Sequence, residues 1–201
     1  MLEEKIRIGI IGANATYGWS MRAHLPALQA LPEYELAAVC TSSPETAAES
    51  AKAYGATLAF HDYREMVTHS DIDLVSVSVR VPLHHEMVMA AVEAGKHVFC
   101  EWPLGANLDE AQDMSSLARA KGVTNLVGLQ ARGAPAILHL KDLISQGYGG
   151  AVLDCNMTKF LPGVIQRGLS MPWMPNRENY ATIVTIGTCA ALDTMSVCVG
   201  K

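Results

Sequence analysis

The sequence predicts an α/β fold: a doubly wound parallel sheet followed by the start of a second, α+β domain. Three observations predict it. Residues 5–20, KIRIGIIGANATYGWS, pass from an apolar strand into a small-residue loop and then into a helical pattern. Strand and helix patterns alternate from there to about residue 130, and right-handed crossovers leave a doubly wound sheet as nearly the only sensible topology for that alternation. Residues 73–79, DLVSVSV, form an almost continuously apolar run, as expected of a parallel strand covered on both faces.

Each element has its own signal. After the first loop, Met21, Leu25 and Leu28 make a helical stripe that reaches Ala30. The second strand, residues 34–40, ends in Thr41, Ser42 and Ser43. Ser43 is placed to cap a helix that has Pro44 at its first position and Gly55 at its close. A short strand at 57–60 and a short helix at 63–68 lead to the strand at 73–79. Next come a helix at 84–94 stopped by Gly95, a strand at 96–100, and the loop Glu101-Trp102-Pro103-Leu104. A helix at 108–121 stopped by Gly122 and a strand at 125–130 complete the sheet. Beyond Gln130 the pattern changes to an amphipathic helix at 135–146, a glycine turn at 147–150 and an expected first strand of a second sheet at 151–158. Residues 160–180, with Pro162, Pro172 and Pro175, read as a loop, and 182–200 as a strand or turn followed by a short helix. The expected domains are therefore 1–130 and 131–201.

Composition narrows the class of protein. A chain of 201 residues, 50% hydrophobic and 17% charged, is long enough for a proper core and is not disordered. A net charge of −5 with no basic stripe argues against a nucleic-acid surface. No window approaches the ~18 apolar residues of a membrane span, and no signal-peptide pattern is visible, so a cytoplasmic protein is expected. The five cysteines lack C-x-x-C spacing and mostly lie in apolar runs, which predicts buried free thiols and no metal site. The ten methionines read as adaptable packing.

The loop after the first strand carries the chemistry. Gly12 ends that strand where backbone N–H groups must approach a pyrophosphate, and a helix start follows, as in dinucleotide-binding Rossmann folds. A strict G-x-G-x-x-G would place glycine at 14; here Asn14, Ala15, Thr16 and Tyr17 intervene before Gly18, and their N–H and hydroxyl groups are the expected diphosphate contacts. Thr41, Ser42 and Ser43 stand where an NAD-specific protein carries an acid for the ribose 2′-OH. NADP is thereby permitted and slightly favoured over NAD, although a plain helix cap accounts equally well for Ser43. Ser78, Val79 and Arg80, where the 73–79 strand ends, join the expected cofactor set. His84 and His85 open a helix; one imidazole facing the cofactor and the other facing solvent is the reading, with His84 the candidate. Glu101 is read as a cofactor contact or a salt bridge, and Trp102 as a stacking wall or core. Gln130 and Arg132 follow the last strand and are placed to touch the nicotinamide end or an anionic ligand.

The segments IGIIGA, HSDIDLVSVSV, AAVEAGKHVFCEWP and LISQGYGGAV together resemble the glucose-fructose oxidoreductase, inositol dehydrogenase and MocA (Gfo/Idh/MocA) family over essentially the whole chain. The G-x(5)-G loop with Trp19 and His24, VRVPLHHE, EWP in place of EKP, and GLQARGAP are similar to its galactose-regulon repressor branch. Members of that branch are dehydrogenase-like but act as NAD(P)-binding regulators. The resemblance implies that the family's E-K-P lysine is replaced by Trp102. Aligned on Asp193 and Gly200, the later family histidine falls on Ala190 and its earlier aspartate on Ile186; no histidine follows His139. A sensor or regulator without the ordinary acid–base set is the expectation. The rival is a repurposed oxidoreductase, isomerase or lyase using His84, Glu101, Trp102 or Arg132. The expected partners are a dinucleotide and an unspecified small molecule, with a protein partner or a second copy left open. Because the family's second domain extends well past the length of this chain, it is expected to be truncated here. Its apolar tail at 182–199 would then fold back on the sheet or be buried in a dimer.

Overall fold

The computed structural model describes residues 5–158, 160 and 176–200. The chain runs β1 (Ile6–Ile11), a wide helical turn (Ser20–His24) continued by α1 (Leu25–Ala30), β2 (Tyr34–Cys40), α2 (Pro44–Tyr54), β3 (Leu58–Phe60) and α3 (Tyr63–Thr68). It continues through β4 (Leu74–Val77), α4 (His84–Glu93), β5 (His97–Glu101), α5 (Leu108–Lys121) and β6 (Asn125–Gly128). The six strands form one sheet in the order β3-β2-β1-β4-β5-β6, with β1 parallel to both β2 and β4. Strand order reverses between β1 and β4, and that switch point is where open α/β sheets leave a crevice at their carboxyl ends.

Both faces of the sheet are covered, which explains why its strands are apolar throughout. On one face Val75, Val77 and Val98 meet Met66, Val88, Ala91, Val92 and Met114 from α3, α4 and α5. On the other, Ile8, Ile10 and Val39 meet Leu25, Leu28 and Tyr54 from α1 and α2. Each fully buried Ile or Val side chain contributes about 1.5–3 kcal/mol. At the amino edge, Asp73 accepts hydrogen bonds from the Arg7 backbone N–H (2.8 Å) and guanidinium (2.7 Å). Lys96 Nζ donates to the carbonyls of His69 and Ile72 at 2.8 and 2.7 Å. These contacts pin the starts of β1, β4 and β5 together.

The helix ends follow from their residues. Ser43 Oγ accepts the Thr46 N–H at 3.3 Å, Pro44 opens α2, and Gly55 closes it at φ +74°. The turn before α1 is wide because Pro26 has no N–H to offer the Arg22 carbonyl. Leu25 instead donates to Ser20 O, five residues back.

The chain divides into two compact units, residues 1–127 and 128–201. In the second, α6 (Pro135–Ser145) packs with α7 (Cys189–Val199), and Cys198 is buried beside the Ile137 carbonyl. Two expectations are corrected here. Residues 152–158 are not a strand: among the described residues nothing pairs with them, and an unpaired strand is unstable in water. Nor does 182–200 open with a strand; Thr182 forms a capping box with Thr185 and starts a wide turn, Ile183–Thr188, that runs directly into α7. The expected loop at 160–180 lies largely outside the described residues. Cys155 is exposed, against the expectation of mostly buried thiols, because the segment that carries it is not packed into a sheet; Cys40, Cys100 and Cys198 are buried.

Candidate functional site

The carboxyl edge of the first unit is built around Gly12. Its φ of +90° is a conformation that L side chains rarely adopt, and a Cβ there would lie 2.3 Å from Ser78 O and 2.9 Å from Val79 Cγ1. The backbones of the first turn and of the β4 end therefore touch, and no side chain fits between them. Gly12 N–H donates to Cys40 O (2.9 Å) and Ser78 N–H to Ile11 O (3.0 Å), so three strand ends are locked at one point. Ser20, fully buried, donates from Oγ to Gly12 O at 3.1 Å and ties the helix start to the same point.

The loop itself is ordered by its own side chains. Asn14 Oδ1 accepts both the N–H and the hydroxyl of Thr16, at 2.9 and 2.8 Å. That is an Asx turn, in which a side-chain oxygen replaces the tight glycine turn of the fingerprint. Tyr54 donates its hydroxyl to Asn14 O at 3.0 Å, anchoring the loop to α2. Thr16 is thus committed within the loop, while Tyr17 stands exposed beyond it. At the end of β2, Thr41 Oγ1 and Thr46 Oγ1 share a hydrogen bond of 2.7 Å and Ser43 is the helix cap, so of the three hydroxyl residues Ser42 is the exposed one.

His84 is not a surface ligand. It is 1% exposed, with Nδ1 2.9 Å from Pro103 O and Nε2 3.1 Å from Val79 O. The ring clamps the end of β4 to the loop that carries Trp102. Both nitrogens lie within hydrogen-bonding distance of main-chain carbonyls, of which a neutral imidazole, with a single N–H, donates to one; this buried placement fits a positioning role. Burial holds its pKa below the usual imidazole value. His85 lies 3.7 Å from Asp113 on the neighbouring α5. Arg80 is exposed at the start of a short helical turn, Val81–Leu83, and Trp102 is half-buried after β5.

Glu101 is met by a residue that the sequence reading did not single out for chemistry. His24 Nε2 lies 2.7 Å from Glu101 Oε1, with the two side chains only 15% and 13% exposed. The two atoms are close, but their geometry is not that of a directed hydrogen bond. Phe99 packs edge-on to the imidazole, centroids 5.3 Å apart. His24 follows Met21 by three residues on the apolar stripe, and a histidine on a packing face was the available signal.

Gln130 and Arg132 fall in the second unit, where Gln130 opens a short helical turn and Arg132 forks onto Asp193 with Nε–Oδ distances of 3.0 and 3.1 Å. Asp193 is 12% exposed and holds the guanidinium pKa above its ordinary value.

A parallel α/β sheet with a glycine at the switch point, pressed against the neighbouring strand and followed by a helix, defines a dinucleotide-binding class of protein. Comparison agrees: the family model for the Gfo/Idh/MocA oxidoreductases, with their NAD-binding Rossmann fold, matches residues 6–129, and the chain belongs to that family. The dehydrogenase aclE of Aspergillus oryzae is 34% identical over 206 residues, covering all of this chain and 56% of its own. The galactose/lactose metabolism regulatory protein GAL80 of Saccharomyces cerevisiae is 35% identical over 157 residues, 73% of this chain and 36% of its own. A crystal structure of a super-repressor mutant of that protein superposes with a TM-score of 0.79 at 26% identity, over 96% of this chain and 52% of the other. KijD10, a 3-ketoreductase from Actinomadura kijaniata solved with TDP-benzene and NADP, gives a TM-score of 0.65 at 28% identity, over 72% and 44%. The chain spans between about a third and just over half the length of these relatives. Among the described residues, no helix is long and apolar enough to cross a membrane.

Proposed function

We propose that the chain binds NADP or NAD at the carboxyl edge of its first unit and acts as a cofactor-dependent sensor or regulator. The observation that carries the binding reading is the close approach at Gly12, which packs the first turn on the β4 end by backbone alone and so fixes the turn at the switch point. The residues that would hold the dinucleotide are Gly12, Asn14, Ala15 and Tyr17 on the first turn, Ser42 at the β2 end, Ser78 to Arg80 after β4, and Glu101 and Trp102 after β5. Residues 41–43, which follow β2, carry hydroxyls in place of the acid that reads a ribose 2′-OH, which favours NADP. A bound nicotinamide supplies a hydride donor or acceptor. Oxidation of an alcohol also needs a base for the hydroxyl proton, and Trp102 has none to offer in place of the family's lysine. His84 is clamped between carbonyls, and Arg132 is engaged by Asp193. In this reading residues 1–130 are the dinucleotide domain, residues 131–201 are part of a substrate or oligomerisation domain, and the output is contact with a protein partner or a second copy.

The match to a dehydrogenase over the full chain favours a second reading, a redox enzyme acting on a small polar or carbonyl substrate. One experiment separates the two: titration of the chain with NAD, NADP and their reduced forms, followed by turnover assays across polyols and ketones with the form that binds. Binding without turnover, and gain of turnover by Trp102→Lys, is the expected result. Native turnover overturns the sensor reading, and absence of binding to all four forms overturns both.

A further inference from the structure

A turn that cradles a diphosphate has to offer N–H groups to the anion and keep its carbonyl oxygens off it. Glycine-rich turns reach that arrangement through residues in left-handed conformations. Here only Gly12 and Gly18 have positive φ, +90° and +109°, and residues 13–17 between them all carry side chains. The peptide planes of the stretch are therefore set by contacts. Asn14 Oδ1 holds the N–H and the hydroxyl of Thr16, and Tyr54, 40 positions further along the chain, donates its hydroxyl to Asn14 O at 3.0 Å.

The second contact has a consequence for Ala15. Asn14 O and the Ala15 N–H belong to one trans, planar peptide, so the two point in opposite directions. With the oxygen held by Tyr54 on the α2 side, the Ala15 N–H is turned away from α2. Tyr54 is itself well held: it ends α2 against the Gly55 cap, and its ring packs on the cluster of Ile8, Ile10, Leu25 and Val39. We infer that Tyr54 is a positioning residue for the dinucleotide, its hydroxyl setting the Asn14–Ala15 peptide so that the Ala15 N–H donates to the diphosphate. The inference rests on the binding reading above and adds to it a residue outside the turn that orients one of its donors.

The test is Tyr54→Phe, which keeps the ring in the core and removes the hydroxyl. Affinity is expected to fall about fivefold for each of NAD, NADP, NADH and NADPH that wild type binds, since all share the diphosphate. Affinity for adenosine 2′-phosphate, which has no diphosphate, is expected to stay within about twofold. Thr57→Val is the control: it removes a comparable bond, from Thr57 Oγ1 to Ala37 O at 3.1 Å, and is expected to leave dinucleotide affinity unchanged. Unchanged dinucleotide affinity in Tyr54→Phe, an equal loss for adenosine 2′-phosphate, or an equal loss in Thr57→Val overturns the inference. Should Tyr54→Phe not fold, judged by its far-ultraviolet circular dichroism, wild type decides. Its Ala15 amide proton, followed by nuclear magnetic resonance of the isotope-labelled chain, is expected to move downfield when dinucleotide binds, and a resonance that stays in place overturns the inference. In each of these cases wild type still binds and the binding reading stands; if wild type binds none of the four forms, both fail.

Discussion

Gly12→Ala is the substitution that most directly probes the site. Two costs are readable from the structure. The residue sits at φ +90°, and placing an L side chain in the left-handed region costs about 1–2 kcal/mol. The added Cβ would lie 2.3 Å from Ser78 O, and reaching even 3.0 Å requires the β1 and β4 ends to separate by 3.0 − 2.3 = 0.7 Å. That separation strains the bonds from Gly12 N–H to Cys40 O and from Ser78 N–H to Ile11 O, each worth about 1 kcal/mol. The expected loss is about 3–4 kcal/mol, a large share of the ~5–15 kcal/mol that an ordinary domain has. Gly55→Ala is the matched control: its φ is +74°, but a Cβ there meets nothing within 4 Å, so only the conformational cost of about 1–2 kcal/mol applies. Urea unfolding of the two variants and the wild type measures both losses. Dinucleotide titration of the folded fractions then shows affinity lost in Gly12→Ala and kept in Gly55→Ala. Equal destabilisation of the two variants, with unchanged affinity in both, would refute the claim that backbone contact at Gly12 builds the site.

Two further outcomes follow from burial and charge. His84 is held below its ordinary value of 6.5 by burial, so below that pH the unfolded chain binds more protons than the folded one. Stability should therefore fall as pH drops from about 6.5 towards the lowered folded value. Asp73, held below 3.8 chiefly by the Arg7 hydrogen bonds, contributes stability that is present above 3.8 and lost as pH falls through its folded value. Urea midpoints across that range should show the upper step vanish in His84→Leu, and the lower step vanish in Asp73→Asn. The latter loses about 1 kcal/mol near neutral pH, a figure discounted because the carboxylate is a third exposed; a pH profile unchanged by either variant would contradict these assignments. The exposed Cys155 should react with a thiol reagent on mixing. Cys40, whose thiol burial pushes up to about 12, and Cys100, pushed higher still, should react only on unfolding. Peptide mapping that found Cys40 labelled as fast as Cys155 would show the core to be open.

How far the residues announce the fold can be judged element by element. β2 at Tyr34–Cys40, α3 at Tyr63–Thr68 and α5 at Leu108–Lys121 lie where pattern and punctuation place them, because apolar period, caps and glycine stops are local properties. The Ser43–Pro44 helix start is legible for the same reason. The segment at 151–158 reads as a strand and is not one, because β-propensity is satisfied only by a partner, and pairing is not encoded in the segment itself.

The site divides along the same line. Gly12 and the three hydroxyl residues at 41–43 are visible in the sequence, since each is a statement about residue type at one strand end. The roles of His84 and His24 were not visible. His84 reads as a helix-opening histidine until the fold brings Pro103 O and Val79 O to its two nitrogens. His24 reads as part of a loop motif until β5 delivers Glu101 across 77 positions of sequence to within 2.7 Å. The sequence by itself determined the alternation of strands and helices and the glycine at the switch point. Only the tertiary structure decided which titratable groups face each other, because contact between residues far apart in sequence is set by how elements pack and not by the local pattern of either one.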